Sequence, residues 1–543
     1  MFEFIGYIML SPLFVALAAC SFVYFRRSMH MFQLNMYKFP AQFKWYRQNM
    51  KWLALNLIAP FAALAFLLVA NLLIDGNEHA HAPWFGLVII LLLLVLIAIL
   101  VLGVVFFAVG KTKAKKKLVF TPRVLRMCIT SGLIYLSAGA ILILFFDYAL
   151  FIFPFVPFLS LFLPLLANFI NTPIEKLINL RYINDAKRIM KSHANLVTIG
   201  ITGSYGKTST KYFLTSLLSE KFNTLMTPAS FNTTMGVVKT IRNQLKATHE
   251  IFICEMGLMW LGDIAELCQI VQPKHSILTS IGPQHLETMG SLENIISEKF
   301  EIANCINPDN GLVFLNYDNE FIRERELDKK IIRYGLSENA RDFRADEITV
   351  SDKGTDFTVT APNGATARFS TRLLGAHNVQ NLTGAIAVAH TLGVEMNDLI
   401  RLVKRIEPVE HRLQIINKGE NIIIDDAFNS NPVGAKAALD VLKNFDGERF
   451  LRFLVTPGMV ALGEKEFELN KELGEYAKNC CDFAVLINEK QAIPIKAGLV
   501  ESGFPTDKIH VFKNLLDGLD FVNNYNSDKR KVILLENDLP DNY

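Results

Sequence analysis

Five long apolar runs fill the first 170 residues, and they constrain the fold more than any other feature of the sequence. The runs lie at 4–25, 52–74, 84–109, 125–146 and 148–170. Each approaches or exceeds the ~20 residues that a helix needs to cross about 30 Å of hydrocarbon. The composition agrees, because 51% of the residues are hydrophobic and 41 are phenylalanine. We therefore predict an α-helical transmembrane region over residues 1–171, with about five helices.

The first and last apolar runs allow interpretations other than a simple membrane span. The last run contains Pro154, Pro157 and Pro164, so it is either a kinked span or a re-entrant element, and four spans are the alternative to five. The first run has no basic segment before it and carries Glu3, which argues against a cleaved signal peptide.

Basic residues predict the orientation of these spans. Two loops are rich in Lys and Arg, namely those after the first run (Arg26, Arg27, Lys38, Lys44, Arg47, Lys51) and after the third (Lys111, Lys113, Lys115, Lys116, Lys117, Arg123). The loop "DGNEHAHAP" (75–83) carries acidic residues and neither Lys nor Arg. Because basic loops stay in the cytosol, we expect a bacterial cytoplasmic membrane protein with its N-terminus outside and everything after about residue 171 in the cytosol.

The net charge and the cysteine content limit the partners and the disulfides that the chain is expected to have. The formal net charge of +3 gives no support for nucleic acid as a partner. The seven cysteines are odd in number and contain no CxxC pair, so we interpret them as reduced cytosolic or lipid-buried thiols, with a disulfide as the alternative.

The pattern changes after residue 171. Residues 172–194 are charged, have apolar residues at helical spacing and carry Pro173 near their start, which predicts a connecting helix close to the membrane surface. Short β-branched segments then alternate with helical ones, beginning with "LVTIGIT", "EIFICEMG", "HSILTSIG" and "GLVFLNYD". This alternation predicts an α/β fold with a parallel sheet covered by helices on both faces. An antiparallel insertion is expected near 345–370.

Two α/β domains follow from this pattern. We predict a central domain over 195–408. A second α/β unit starts at "NIIIDDAFNSNP" and continues through "FLVTP", "FAVLIN" and "KVILLE". It predicts a Rossmann-like C-terminal domain over 409–543.

The stretch "GITGSYGKTSTK" (200–211) indicates a phosphate-binding loop between a strand and a helix. Lys207 can reach the β- and γ-phosphates, and the Thr208 hydroxyl can bind Mg²⁺. The loop departs from GxxxxGK[ST], because Ile201 stands five residues before Gly206. Its predicted ATP-binding residues are Gly203, Ser204, Tyr205, Gly206, Lys207, Thr208 and Ser209.

This loop and six further motifs resemble, in order, those of the Mur ligase superfamily, whose members join a carboxylate to an amine at the expense of ATP. The other motifs are "TPASFNTTMGV", "EMGLMWLGDI", "TSIGPQHLETMGSLENIISEKFEI", "LGAHNVQN", "EHRLQ" and "DDAFNSNP". The resemblance covers about residues 195–465 and is closest to the UDP-N-acetylmuramoyl-tripeptide:D-alanyl-D-alanine ligase branch. It implies a P-loop Mur ligase central domain followed by the C-terminal domain of that family.

Glu255 ends an apolar strand at the sheet edge where ligands bind, which suits a Mg²⁺ carboxylate. The resemblance adds His285 and Lys299, 14 residues later, as ligands of two Mg²⁺ ions together with Thr208. It implies that Lys299 is carbamylated by CO2, which turns a cation into a carboxylate-like ligand and removes repulsion with the metal ions. The implied catalytic residues are Lys207, Lys299, His285 and Arg412.

The resemblance also implies the rest of the ATP site. Asn232 is expected at the phosphate end and Asn378, beside His377, near the adenine. Arg412 is expected to reach the phosphates, and Asp426 and Asn429 the ribose. The site would then be complete only when the last domain closes on the central one.

The implied reaction begins when a substrate carboxylate attacks the γ-phosphoryl group, giving ADP and an acyl phosphate, which an amine then converts to an amide. The first interpretation is peptidoglycan precursor synthesis, with an envelope precursor carrying a free carboxylate and an amino acid or dipeptide as substrates. Two departures leave these substrates open: Ala461 stands where a Glu is common, and "ILLENDLPDNY" lacks a "KGSR"-like segment.

Three alternatives therefore stay open. Membrane spans stand where the branch has a UDP-holding domain, so a lipid-linked precursor or another envelope polymer is an alternative substrate, with membrane lipid as a partner. An ATP-driven transporter would need a signature such as LSGGQ, which is absent. An inactive scaffold would have no need of Lys207, Glu255, His285 and Lys299.

Overall fold

The computed structural model describes residues 2–50, 53, 61, 117–144, 155–229, 231–284, 286–351, 354–419, 421–427, 430–460 and 462–538. The chain divides into two compact units. The first is Met1–Leu180 together with Pro540–Tyr543, and the second is Arg181–Leu539.

The first unit is helical in its described part. Its helices are α1 (Phe2–Leu34), α2 (Phe39–Gln48), α3 (Pro122–Leu144), α4 (Val156–Leu159) and α5 (Leu163–Ser192), whose end belongs to the second unit. Phe32 is fully buried in an aromatic cluster that includes Trp45. The Ser28 and Tyr46 hydroxyls both donate hydrogen bonds to the Leu161 carbonyl, at 2.5 and 2.7 Å, and so join α1 and α2 to the segment after α4.

One helix among the described residues, Pro122–Ile141, is long and apolar enough to cross a membrane, judged by length and composition alone. It coincides with the predicted run 125–146. The run 84–109 lies outside the described residues, and so does nearly all of the run 52–74. The five-span count, the four-span alternative and the orientation therefore stay predictions.

The predicted run 148–170 is not one continuous helix. In its described part, α4 ends at Leu159 and α5 begins at Leu163 after a turn. Pro157 and Pro164 lie in the first turns of α4 and α5, where a missing N–H leaves no hydrogen bond unmade.

The predicted start of the connecting helix is wrong. Residues 172–194 do not begin a helix at Pro173, because α5 already begins at Leu163 and Pro173 lies in its interior. The apolar residues before Pro173 continue the same helix. An interior proline removes one backbone hydrogen bond without ending a helix that packing holds in place.

The second unit contains a nine-stranded sheet in the order β2-β3-β1-β4-β5-β6-β7-β8-β9. Its strands are β1 (Val197–Thr202), β2 (Thr224–Met226), β3 (Ile251–Glu255), β4 (His275–Leu278), β5 (Leu312–Asn316), β6 (Ile331–Gly335), β7 (Phe343–Ser351), β8 (Gly354–Thr360) and β9 (Thr366–Thr371). The pairs from β2 to β7 are parallel, and β7, β8 and β9 are antiparallel. The antiparallel segment predicted near 345–370 therefore extends the main sheet.

Helices cover both faces of this sheet. They are α6 (Lys207–Leu218), α7 (Thr234–Gln244), α8 (Asp263–Val271), α9 (Leu286–Met289), α10 (Leu292–Asn304), α11 (Glu320–Arg323), α12 (Ala376–Thr391) and α13 (Met396–Val403). Alternate residues of β3 enter different cores: Ile253 packs with residues of α6 and α12, and Phe252 with residues of α8 and α10. This alternation is the period of a strand buried on both faces, as predicted.

A second sheet of six strands has the order β10-β11-β15-β12-β13-β14. Its strands are β10 (Gln414–Lys418), β11 (Asn421–Asp426), β12 (Phe450–Thr456), β13 (Phe483–Ile487), β14 (Ile509–Phe512) and β15 (Arg530–Glu536). Only β10 runs antiparallel to its neighbour. The helices between the strands are α14 (Pro432–Lys443), α15 (Glu466–Ala477), α16 (Glu489–Glu501) and α17 (Leu515–Asn524). This arrangement is the predicted α/β fold with a mostly parallel sheet.

Two glycines set the spacing between α15 and α16, and this spacing generates a prediction. A Cβ on Gly498 would lie 2.0 Å from the Lys471 carbonyl oxygen, and one on Gly474 would lie 2.2 Å from the Ile495 carbonyl oxygen. We expect Gly498→Ala to force the helices apart and to destabilise the protein by about 1–3 kcal/mol. Thermal unfolding measures this loss of stability. Gly447→Ala is the control, because the atom nearest to a Cβ on Gly447 would be 3.5 Å away. Equal midpoints for both variants would contradict the packing.

Candidate active site

The glycine-rich turn joins β1 to α6 and is fixed to the segment after β4. The Ser204 N–H donates to the Ser280 carbonyl oxygen at 2.7 Å, and the Tyr205 N–H donates to Ser280 Oγ at 2.8 Å. Gly206 has a φ of +82°, and a Cβ there would lie 2.3 Å from Asn381 Oδ1. A Cβ on Gly203 would lie 2.0 Å from Thr279 Oγ1. Both positions therefore require glycine, because the side chains of Asn381 and Thr279 approach the turn this closely.

The turn leads into the N-terminus of α6. Gly206 is the capping residue and supplies no side-chain acceptor to the first N–H groups of the helix, which include those of Lys207 and Thr208. Unpaired N–H groups at a helix start bind phosphate or carboxylate oxygens. Ser209, in the same first turn, is buried. This geometry fits the predicted phosphate cradle.

Lys207 folds back over the turn that precedes it. Its Nζ donates to the carbonyl oxygens of Gly203 at 2.6 Å and Ser204 at 3.1 Å. Burial lowers the pKa of Lys207 to about 8; the nearby Arg412 charge acts in the same direction and the Glu255 carboxylate opposes it. An ammonium held this way is poised to exchange carbonyl oxygens for the more negative oxygens of a phosphate.

Glu255, at the end of β3, is almost completely buried and has three side-chain partners. It accepts hydrogen bonds from Lys211 Nζ at 2.9 Å, Thr208 Oγ1 at 3.1 Å and Asn232 Nδ2 at 3.1 Å. Burial raises its pKa, but the Lys211 and Lys207 charges and these hydrogen bonds outweigh that effect and hold the pKa below its usual value. The carboxylate is therefore ionised inside the protein.

Thr208 and Glu255 fit a magnesium ion. Carboxylate and hydroxyl oxygens are ligands that Mg²⁺ prefers, and neighbouring ligands in an octahedron with bonds of 2.0–2.1 Å are about 3 Å apart. The distance of 3.1 Å between Thr208 Oγ1 and Glu255 Oε1 matches that spacing. His285 lies outside the described residues, and among the residues that the structure does describe no group of three His, Cys, Asp or Glu side chains could hold a metal ion. The full ligand set therefore stays a prediction.

Lys299 lies on α10 and is almost completely buried. Burial holds its pKa well below the usual value, the positive Lys207 lowers it further, and Glu298 opposes both. No hydrogen-bond or ion-pair partner for its Nζ is present in the described part of the chain. A neutral buried amine is the form of lysine that can react with CO2, so the environment fits the predicted carbamate without demonstrating it.

Lys211 was missed by the sequence analysis. Its buried Nζ forms the ion pair with Glu255 and also donates to the Ala229 carbonyl oxygen at 2.5 Å. It follows Lys207 by four residues in a helix, so the i, i+4 spacing could have placed both lysines on one face. Its partner could not be predicted from local spacing, because Glu255 is 44 residues away.

Arg412 lies between the two sheets and is attracted to carboxylates of both. Burial lowers the pKa of Arg412, whereas Asp426 and Glu255 raise it. With Thr208, Tyr212 and Pro408 it lines a cavity of about 480 Å³ beside α6. The structure thus brings Arg412 to the same region as Thr208 and Glu255, and its role at the phosphates stays a prediction.

Asp426 and Glu536 lie at the carboxyl ends of the adjacent strands β11 and β15. Burial raises the pKa of Asp426 to about 7, the Glu536 charge adds to this, and Arg412 opposes it. Glu536 is fully buried and accepts hydrogen bonds from the hydroxyls of Ser430 and Thr456. The ribose role of Asp426 stays a prediction, and Asn429 lies outside the described residues.

Asn378 does not join the other predicted residues through a hydrogen bond. Its Nδ2 donates to the Leu374 carbonyl oxygen at 2.9 Å, at the start of its own helix. Asn381, one turn later and missed by the sequence analysis, accepts from Thr210 Oγ1 at 3.3 Å and faces Gly206. His377 is partly buried, and burial lowers its pKa to about 4. The adenine role of Asn378 stays a prediction.

Comparison with known proteins identifies the class. Residues 201–389 match the family model described as the Mur ligase middle domain. The UDP-N-acetylmuramoyl-tripeptide--D-alanyl-D-alanine ligase of Escherichia coli (strain K12) is 30% identical over 309 residues, covering 56% of this chain and 67% of that protein. The chain therefore belongs to the Mur ligase family, as predicted.

One further relative and one solved structure agree with this family assignment. The protein of the same name from Bacillus subtilis (strain 168) is 30% identical over 277 residues, or 51% of this chain, and the chain spans 59% of that relative. A crystal structure of MurF ligase from Thermotoga maritima in complex with ADP has a TM-score of 0.58 and 26% identity, covering 67% of this chain and 81% of that one. The predicted enzyme class, an ATP-dependent carboxylate–amine ligase, is the class of these relatives.

The buried ion pair generates a prediction. Lys211→Met leaves the buried Glu255 carboxylate without its closest cation, so we expect a destabilisation of about 3–5 kcal/mol. The exposed Lys246→Met is the matched control and should change stability little.

Denaturant unfolding of both variants measures the effect. The double variant Lys211→Met with Glu255→Gln should recover part of the loss, because it removes the unpaired charge. A Lys211→Met protein as stable as the Lys246→Met control would contradict the role given to this pair.

Proposed function

We propose that this chain is an ATP-dependent ligase that joins the carboxylate of a UDP-linked muramyl tripeptide to D-alanyl-D-alanine in peptidoglycan precursor synthesis. The observation that carries the proposal is the ionised, buried Glu255 beside Thr208 at the start of the phosphate-binding helix. The activity for which the Escherichia coli and Bacillus subtilis relatives are named supports these substrates, and the ADP complex of the Thermotoga maritima ligase supports the nucleotide.

The first half of the reaction requires positive charge. The first N–H groups of α6 and Lys207 bind the phosphates, and Arg412 reaches them from the other sheet. Thr208 and Glu255 would hold Mg²⁺, with His285 and a carbamylated Lys299 as the proposed further ligands. Magnesium, when bound, neutralises charge as the substrate carboxylate attacks the γ-phosphoryl group and ADP leaves.

The second half of the reaction is an acyl transfer. The amine of the dipeptide attacks the acyl phosphate, inorganic phosphate leaves and an amide remains. Arg412 is placed between Glu255 and Asp426, so it connects the phosphate end of the site with the carboxyl edge of the second sheet. We propose that Asp426 and Asn429 contact the ribose of ATP and Asn378 the adenine.

We also propose that the first unit attaches the ligase to a membrane. Polar side chains of α3 and α5 face each other: Arg126 forms a two-point ion pair with Glu175 at 2.6 and 2.8 Å, and Thr130 donates to Asn171 at 2.9 Å. Apolar residues occupy the exposed face of α3, namely Leu125, Ile129, Leu133 and Leu136. Polar contacts inside with apolar side chains outside are typical of helices in lipid.

This attachment allows a second candidate substrate, a lipid-linked muramyl peptide. The favouring observation is the exposed apolar face of α3, which would hold the catalytic unit near lipid-borne precursors. A transporter or an inactive scaffold would not require the charge arrangement around Glu255.

The ligase proposal predicts ADP release that depends on both substrates. The full chain in detergent is given ATP, Mg²⁺, D-alanyl-D-alanine and either a UDP-linked or an undecaprenyl-linked muramyl tripeptide. We expect ADP and amide in equal amounts, and a loss of at least about 100-fold in Lys207→Ala, because the lysine acts on charge that develops in the transition state. Lys246→Ala is the control.

The two acceptors separate the candidates. Turnover of the UDP-linked tripeptide supports the first proposal, and turnover of the undecaprenyl-linked one alone supports the second. ADP release that does not depend on the tripeptide or the dipeptide contradicts ligation and favours a transporter. The absence of any ADP release favours a scaffold.

The membrane proposal predicts that the full chain stays with the membrane pellet after an alkaline carbonate wash, because the apolar face of α3 is in lipid. Leu133→Arg combined with Leu136→Arg places two charges on that face and should lower the amount of the chain recovered in the pellet. The control, Lys246→Ala, should stay in the pellet. Complete release of the unaltered chain by carbonate would contradict the proposal.

A further inference from the structure

Two cysteines from different helices meet at the surface of the second unit, away from the phosphate-binding turn. Cys268 lies on α8, and Cys305 follows the last residue of α10. Their Sγ atoms are 2.9 Å apart although the residues are separated by 37 positions in the chain. The sequence analysis treated both as unrelated reduced thiols.

We infer that Cys268 and Cys305 are a redox modification site, which closes to a disulfide on contact with a small disulfide oxidant such as glutathione disulfide. The inference is independent of the proposed ligase activity. A disulfide requires an S–S distance of about 2.0 Å, so the two sulfur atoms need to approach by only about 0.9 Å. Both side chains already lie against the last turn of α10, where Cys305 Sγ contacts the Ile302 carbonyl oxygen at 3.2 Å.

The two thiols differ in accessibility, and this difference orders the reaction. Cys305 is exposed, whereas Cys268 is 6% exposed. The Cys305 thiolate can therefore attack glutathione disulfide, giving a mixed disulfide on Cys305 and one glutathione thiolate. Cys268 then loses its proton and attacks the Cys305 sulfur, and the second glutathione leaves as a thiolate. The two protons from the cysteines are taken up by the two glutathione thiolates.

Burial controls the second step. The contact with Cys305 and burial raise the pKa of the Cys268 thiol far above its usual value. Cys268 is therefore protected from direct oxidation, and it reacts only with the sulfur that already touches it.

The bond would add a second link to a helix pair that Glu298 already joins. Glu298 of α10 accepts hydrogen bonds from the N–H groups of Gly262 and Ile264, at the start of α8, both at 2.8 Å. The cysteines join the same two helices further along, at Cys268 inside α8 and at Cys305 just after α10. Because α10 also carries Lys299, the disulfide would hold the helix that bears a proposed metal ligand.

The chain offers a matched control in Cys480 and Cys481. These cysteines are neighbours in sequence but both are buried, and their Sγ atoms contact the carbonyl oxygens of Tyr476 and Ala477. They should not react with glutathione disulfide while the protein is folded.

The test uses the full chain in detergent, equilibrated with buffers that range from reduced to oxidised glutathione, then denatured, alkylated and digested without reductant. Mass spectrometry should find a peptide pair cross-linked through Cys268 and Cys305, which dithiothreitol removes, with Cys480 and Cys481 alkylated throughout. Cys268→Ser should accumulate glutathione on Cys305. The cross-linked form should melt roughly 5 °C higher than the reduced form, and Cys305→Ser should show no such rise.

Three results would overturn the inference. The first is full alkylation of both cysteines in the most oxidised buffer. The second is glutathione retained on Cys305 of the unaltered chain with no cross-link. The third is equal oxidation of Cys480 and Cys481, which would assign the cross-link to unfolded protein.

Discussion

The buried ion pair between Lys211 and Glu255 is the interaction on which the site depends. It joins the phosphate-binding helix to the end of β3, and the second bond of Lys211, to Ala229, adds the loop after β2. A carboxylate this deeply buried would take up a proton without a cation beside it. The pair therefore keeps Glu255 ionised, and an ionised oxygen is what a magnesium ion requires.

Positive charge predominates around this one carboxylate. Lys207, Lys211 and Arg412 all interact with Glu255, and Lys299 is close enough to Lys207 to be affected by its charge. Such an excess of cations is unfavourable in a protein interior unless anions enter, and the phosphates of a nucleoside triphosphate are such anions. The carboxyl edge of the second sheet has the opposite character, because Asp426 and Glu536 lie side by side there, and burial together with the Glu536 charge raises the pKa of Asp426. Arg412 connects the two regions.

The first unit buries an apolar cluster around Phe32, as the second unit buries its own cores, but the contact between its helices α3 and α5 is polar. In the second unit, apolar side chains of both sheets are buried beneath helices. In the first, α3 and α5 direct Arg126, Glu175 and Thr130 toward each other and leave Leu133 and Leu136 exposed. That reversal is costly in water and favourable in lipid. It is the structural basis for proposing that a phosphate-binding ligase is held at a membrane.

The sequence by itself determined the local features. Glycine spacing and the following lysine indicated the phosphate-binding turn, and a polar residue after an apolar strand marked Glu255. Tertiary structure alone decided the partners: Lys211 bonds Glu255 across 44 residues, Asn381 meets Thr210 across 171, and Cys268 meets Cys305. It also decided that α5 continues through Pro173. Propensity and periodicity act over a few residues, whereas these contacts depend on how distant strands and helices pack, and no local pattern contains that information.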